Sequence, residues 1–294
     1  MRLNFISQIK SNLKKSATIS TKRPTSNILD GSYISVYKGR SLNFDDLREY
    51  VPGDDIKDID WKATARSQTT LVREFVAEKK HNIMFVIDSN KRMLGYTKNG
   101  EEKKNVAIYA AGTLAYLVSR NGDYISSIFG SPKSIRFFPF KAGLLNIENI
   151  LQQYNKDVNT ENESEITKSL EYIMRHIRRR MIIVIVTDME GRRAISERLL
   201  KRLVSVHDVI MLNISDTDPF GNNVYDVDYL TFLPDFFTKD KKLMKRENKR
   251  KEQIEKESTE KFKKAGIVWT SFDDSEDIAI KLTELLARHK LEKR

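Results

Sequence analysis

The sequence predicts an α/β protein, with a doubly wound and mostly parallel sheet behind a small N-terminal module. Two apolar runs carry the first part of that reading: Ile83 to Ile87 ends on Asp88, and Met181 to Val186 ends on Thr187-Asp188. Unbroken runs of this length are how strands buried on both faces read. From Asn82 onward such runs alternate with segments of helical period, the pattern of strand and crossover helix. Ahead of them lies an acid-rich turn with one tryptophan, Asp54-Asp55 to Asp60-Trp61, which marks a separate small unit.

The elements follow in order. Leu3, Ile6, Ile9 and Leu13 recur at helical spacing with Lys10, Lys14 and Lys15 among or after them. This predicts a short basic amphipathic helix, packed on its own protein or resting weakly on an anionic membrane surface through residues 1–15. Thr21 to Asn27, with Pro24, reads as a linker. Residues 1–27 thus form a basic segment, 28–80 the module, and 81–294 the main α/β domain. Within the last, the helix over 103–120 ends at Gly122, and strands follow over 124–129 and 135–138. Helices are expected over 144–154 and 166–179, then the strand to Val186, a helix over 195–204 and a strand over 209–214. Residues 238–264 predict a long charged helix with a thin apolar stripe of Leu243, Ile254 and Phe262. A strand over 267–272 and a helix over 277–289 close the domain.

Composition bounds the function. The 294 residues suffice for a sizeable core, and the absence of cysteine excludes a disulfide scaffold and any thiolate metal site. No stretch approaches the roughly 20 apolar residues of a membrane-spanning helix, and no signal-peptide core follows the N-terminal basic residues. The expectation is a cytoplasmic protein, or one peripheral at the inner face of the membrane. The net charge of +11 resides in two segments: 1–27 with six basic and no acidic residues, and 239–264 with twelve basic and six acidic. The remainder is near neutral, so a converging basic channel for nucleic acid is not expected.

In doubly wound sheets ligands bind beyond the carboxyl ends of the strands, which singles out Asp88 and Asp188. Gly39-Arg40, Phe44 to Tyr50, Pro52-Gly53-Asp54-Asp55, Ile59-Asp60-Trp61-Lys62, Ala65-Arg66, Val72 to Phe75 and Asp88 stand in that order. On these residues the chain resembles a known family, the bacterial proteins carrying domain of unknown function 58. The likeness extends more weakly through Gly122-Asp123 and Thr187-Asp188 to the end. The resemblance implies a von Willebrand factor A-like, Rossmann-like domain, and with it a divalent-cation site of the magnesium type formed by Asp88, Asn90, Ser164 and Asp188, with Thr160 as a rival to Ser164. The family's Asp-x-Ser-x-Ser loop reads here Asp88-Ser89-Asn90-Lys91-Arg92. Arg92 carries donors only and cannot ligate a cation. Three outcomes stay open: an occupied magnesium site, a degenerate metal-free site neutralised by Arg92, or an Asp88 that merely caps a loop.

The acid-rich turn has a structural reading, in which Asp54, Asp55 or Asp60 cap short turns, Arg48 and Arg66 pair with them, and Trp61 is buried as the anchor. It also has a functional one, as a partner-docking patch. A third reading takes Asp60-Trp61-Lys62, with Asp45 or Asp55, as a metal-dependent phosphodiesterase site; it requires Asp60 and Lys62 on one strand, converging on a further carboxylate. The chain has no phosphate loop, no dinucleotide fingerprint and no zinc helix, and its four histidines are expected to be structural. The resulting expectation is a non-enzymatic interaction or adaptor protein with no catalytic residue. The resemblance further implies a MoxR-type AAA+ ATPase as its partner, in the assembly or maturation of other proteins.

Overall fold

In a computed structural model the chain runs α1 (Phe5–Ser20), β1 (Asp46–Glu49), α2 (Trp61–Ser67), β2 (Leu71–Glu74), β3 (Asn82–Ile87), α3 (Lys103–Arg120), β4 (Tyr124–Ser131), β5 (Ser134–Lys141), α4 (Leu144–Asp157) and α5 (Ile166–His176). It continues through β6 (Ile182–Thr187), α6 (Met189–Ala194), α7 (Glu197–Val206), β7 (Asp208–Ile214), β8 (Tyr225–Asp226), β9 (Thr231–Phe232), α8 (Lys241–Lys264), β10 (Val268–Phe272) and α9 (Ile278–Glu292). The structure describes residues 4–20, 29, 33, 46–74, 80–131, 134–217, 225–227, 231–232 and 241–292. Leu3, the 21–27 linker, Asp45 and the side chains of Asp58 and Leu243 lie outside what is described.

Six strands form the central sheet in the order β5-β4-β3-β6-β7-β10. All neighbours are parallel except β4 and β5, which form an antiparallel edge. The sheet therefore starts in its middle, grows one way through β4 and β5, then returns to the other side of β3 with β6. That reversal puts the topological switch point between β3 and β6, where a crevice opens beyond the strand ends. Strand pleating sorts the apolar runs onto two faces. Ile83, Phe85, Ile87, Val184, Val186, Ile210 and Leu212 join one core with α3, α4 and α9. Met84, Val86, Ile183, Ile185 and Met211 join the other with α5, α7 and Phe262 of α8.

The helix predicted over 195–204 is α7, and a further short helix, α6, which was not predicted, stands before it. Asp188 caps α6 by accepting the Gly191 N–H at 2.9 Å, and Ser196 caps α7 by accepting the Leu199 N–H at 3.2 Å. In the N-terminal module β1 and β2 pair as an antiparallel ribbon. Arg48 forms a two-pronged pair with Asp54 at 2.6 and 2.7 Å, which holds the Asp54 carboxyl down at about 2. Asp55 and Asp60 cap, accepting the N–H groups of Lys57 and of Lys62 and Ala63 at 3.0 Å. The expectation of a buried Trp61 is wrong: its side chain is 65% exposed, because it opens α2, a helix with no buried residue. Among the described residues, Ile59 and Val72 are the buried apolar ones there. Asp60 and Lys62 do not share a strand either, since Asp60 caps α2 and Lys62 stands exposed within it.

The N-terminal helix belongs to the main core. Phe5, Ile6, Ile9 and Leu13 of α1 are buried with α3 and α4, so its apolar face is occupied by the chain itself. Gly112 makes the close approach possible: a Cβ there would stand 2.5 Å from Ile9 Cδ1 and 3.0 Å from Leu151 Cδ1. Glu148 of α4 accepts the first N–H groups of α1, from Phe5 at 3.1 Å and Ile6 at 2.9 Å. A carboxylate at a helix N-terminus satisfies otherwise orphaned donors and meets the positive end of the helix dipole. Glu148→Ala is expected to cost about 1 kcal/mol in urea unfolding and to make the chain before residue 20 the first site cut by trypsin. An unchanged cleavage pattern and stability would show that the cap does not hold α1.

Candidate functional site

At the switch point β3 ends in Asp88 and β6 in Thr187-Asp188. The parallel register places Ile87 opposite Val186, and Asp88 N–H donates to Val186 O at 2.8 Å, so both carboxylates emerge side by side. Both are about 1% exposed. The chain after β3 turns through a 3-10 helix, Lys91–Leu94, and this returns Arg92 over the strand ends. Its Nη2 donates to Asp88 Oδ2 at 3.3 Å and its Nε to Asp188 Oδ2 at 3.4 Å. A second cation completes the arrangement. Lys103, in the first turn of α3, donates to Asp188 Oδ2 at 3.0 Å and pairs with Asp216 just beyond β7.

Backbone and hydroxyl donors fix the rest. Asp88 Oδ2 accepts the Thr187 hydroxyl at 2.7 Å and its Oδ1 the Asn90 N–H at 3.0 Å. The buried Tyr154 hydroxyl donates to the Asp88 carbonyl at 2.8 Å. Gly191 brings α6 hard against the strand end: a Cβ there would fall 1.9 Å from Thr187 Oγ1 and 2.6 Å from Asp88 Oδ2. No other residue fits that position without displacing the site.

The two aspartates are driven apart electrostatically. Burial and the charge of Asp188 raise the Asp88 carboxyl. Burial also pushes Asp188 upward, but the Lys103 ammonium, the Arg92 guanidinium and the Gly191 N–H outweigh it and hold that carboxyl below the usual range. Burial opposes charging of Lys103, and Asp188 and Asp216 overcome it, so its pKa is raised. The site is thus a compact network of three carboxylates and two cations.

Of the sequence-predicted residues, Asp88, Asn90, Arg92, Ser164 and Asp188 converge at this loop cluster, but not as a ligand set. Asn90 Oδ1 accepts the Arg92 N–H at 2.9 Å, and its Nδ2 donates to the Ser164 carbonyl at 2.8 Å. The Ser164 hydroxyl lies 3.2 Å from Ser89 Oγ. Thr160 stands exposed in a turn. A magnesium-type site needs free oxygens in octahedral array; here the carboxylates already receive N–H donors from Arg92 and Lys103, and the Asn90 oxygen accepts the Arg92 N–H. The residues as arranged do not fit the metal. Asp54, Asp55, Asp60, Trp61 and Arg66 belong to the separate module. Lys103 and Asp216 were missed by sequence reasoning. A lysine in a helix's first turn, against the dipole, is the signal that marks Lys103.

Helix α8 roofs the site. Arg192, fully buried, pairs with Glu255, and Lys261 donates to the carbonyls of Arg192, Arg193 and Ile195 at 3.1, 3.3 and 2.6 Å, closing the end of α6. Lys251 reaches the Thr217 carbonyl at 2.7 Å. A cavity of about 290 Å³ remains between α8 and the strand ends, bordered by Arg92, Lys103, Asp188, Glu190, Arg250 and Ile254.

Lys103→Met is expected to lose about 3 kcal/mol at pH 7, because the buried Asp188 and the half-buried Asp216 lose their counter-ion. Arg92→Ala is expected to lose less, since its side chain is 37% exposed and screened by solvent. The pH sign follows from Asp188, whose folded pKa is depressed. Its stabilisation is present above the unfolded value of about 3.9 and is lost as pH falls through the folded one. Urea unfolding from pH 7 to pH 2 should therefore find a shallower acid loss in Lys103→Met than in the native chain; equal slopes would contradict the network.

The chain is 23% identical over 201 residues to uncharacterized proteins of Mycobacterium bovis and Mycobacterium tuberculosis, covering 67% of this chain and 62% of theirs. Similar solved structures include a von Willebrand factor type A protein from Catenulispora acidiphila (11% identity, TM-score 0.41, 76% of this chain and 45% of that one). The SpRpn10 VWA domain matches at 10% identity and TM-score 0.36, over 71% of this chain and 95% of that one. The family described as Protein of unknown function DUF58 matches residues 46–227, and the chain belongs to it.

Proposed function

We propose that the protein is a non-enzymatic interaction protein, an adaptor that works in the cytoplasm with a MoxR-type AAA+ ATPase in assembling or maturing other proteins. The observation that carries this reading is Arg92 lying on both Asp88 and Asp188. The crevice that would hold a metal or a reacting group is lined by the chain's own cations, each already paired with a carboxylate, which favours an interaction role over a catalytic one. A second feature supports a protein partner. Val51, Ile56 and Trp61 are 57%, 67% and 65% exposed on the N-terminal module, and a tryptophan among aliphatic residues is the composition of an interface hot spot. In this reading Asp54, Asp55 and Asp60 shape the turns that present Trp61, and the ATP chemistry belongs to the partner.

Affinity purification of the tagged full chain from bacteria that express it is expected to recover a MoxR-type ATPase. Trp61→Ala is expected to weaken that association by about 2 kcal/mol, roughly 30-fold, without lowering thermal stability. Magnesium-dependent cleavage of a phosphodiester substrate by the purified chain, lost on Asp60→Ala, would overturn the reading in favour of an enzyme.

A further inference from the structure

Strands β7 and β10 change character at the same level of the sheet. Their register sets Met211 against Trp269 and Asn213 against Ser271. Alternate residues of a strand share a face, so Val209, Met211, Asn213 and Ser215 along β7 stand beside Ile267, Trp269, Ser271 and Asp273 along β10. The first two of each series join the apolar core; the last two are polar. A helix laid on a sheet normally closes apolar surface on apolar surface, and Phe262 of α8 does so against Trp269, with ring centroids 6.1 Å apart. Over the polar half, α8 presents Glu252, Glu255, Lys256 and Thr259, spaced to share one helix face, and the two surfaces do not close. A cavity of about 630 Å³ separates them. Its size is that of small-molecule sites, and it lies beyond the carboxyl ends of parallel strands, where doubly wound sheets bind ligands.

The lining limits what can bind. Among the described residues that border the cavity, Met189 alone is apolar and none is aromatic, which leaves no platform for a lipid chain or a nucleobase. Basic and acidic side chains are balanced at four each, and the inner ones are already matched: Arg192 with Glu255, Lys98 with Asp273, and Asp216 with Lys103. A ligand with net charge would have to compete with one of these pairs. Two buried hydrogen-bonding atoms are left over instead, one acceptor and one donor. Asn213, 5% exposed, donates through Nδ2 to Ser271 Oγ at 3.0 Å, and its Oδ1 has no partner among the described residues. Arg192, fully buried, gives its two terminal nitrogens to Glu255, and its Nε–H has no acceptor among the described residues. A hydroxyl is an uncharged group that serves as donor and acceptor alike.

We infer that this cavity is a binding site for a small, uncharged, hydroxyl-rich molecule of the sugar class. One hydroxyl donates to the Asn213 amide oxygen and another accepts from Arg192, so the ligand ties the sheet end to α6 beneath α8. Such binding needs no partner protein, and it stands or falls separately from the ATPase association proposed above.

Isothermal titration calorimetry of the purified full chain with glucose, N-acetylglucosamine, maltose and myo-inositol is expected to show saturable binding of at least one, with a dissociation constant below about 1 mM. Gluconate and glucosamine, charged relatives of glucose, and glutamine, a zwitterion, should each bind about tenfold more weakly or worse. Asn213→Ala is expected to weaken the best ligand about tenfold, as one buried hydrogen bond is lost. Thr259→Phe fills the cavity from the partly exposed face of α8 and is expected to abolish binding; it leaves the sheet untouched, so its melting temperature should match that of the native chain. No saturable binding of the four neutral compounds below that limit would overturn the inference. So would gluconate, glucosamine or glutamine binding as tightly as the best of them, or native affinity in either variant while it melts as a folded chain.

Discussion

The ionic network at the switch point is the constraint on which the rest of the structure depends. Two strands of a parallel sheet end side by side, and each delivers an aspartate into nearly dry surroundings. Left alone, such carboxylates would take up protons or repel one another. Arg92 lies across both, and Lys103 ties Asp188 to Asp216, so β3, β6 and the loop after β7 are held by charge as well as by the ladder. Removing one member of such a network costs far more than the network contributes in total, which makes it a specifying device more than a source of stability.

The same network links the sheet to α8. Asp188 caps α6 while accepting Lys103, the buried Arg192 of α6 pairs with Glu255, and Lys261 of α8 caps the carbonyls at the far end of α6. Helix α6 is therefore clamped at both ends, and Gly191 lets it lie in van der Waals contact with the strand termini. The long helix is charged over most of its surface and is anchored by few apolar residues, Ile254 and Phe262 among them. Its position is set by these polar contacts at least as much as by burial.

Much of the scaffold was legible because apolar runs and helical periods report burial directly. The runs ending at Asp88 and Asp188 predict β3 and β6 to within a residue, and the 103–120 periodicity coincides with α3. The strand expected over 135–138 is the middle of β5 (Ser134–Lys141), but its antiparallel pairing with β4 was not specified, since an exposed edge strand of mixed polarity carries no signal of direction. Helix α6 was hidden because it is six residues long and held by caps, and the signal for those caps, Asp188 and Ser196, is local and common. Trp61 shows the limit of composition: an aromatic residue predicts burial on average, and only the structure shows that it stands exposed at the start of α2. At the site, Asp88 and Asp188 were legible from their places at strand ends, and Arg92 from the loop pattern of the family the chain resembles. Lys103 and Asp216 were not, because they are distant in sequence and meet only through the fold.

The most direct measurement of the central claim is the melting temperature of the native chain titrated with magnesium chloride from 0 to 10 mM, against sodium chloride of matched ionic strength. If Arg92 and Lys103 already neutralise the carboxylates, the two curves coincide. A saturable rise specific to magnesium, with a midpoint below about 1 mM, would correspond to ligand binding to the folded state and would contradict the account.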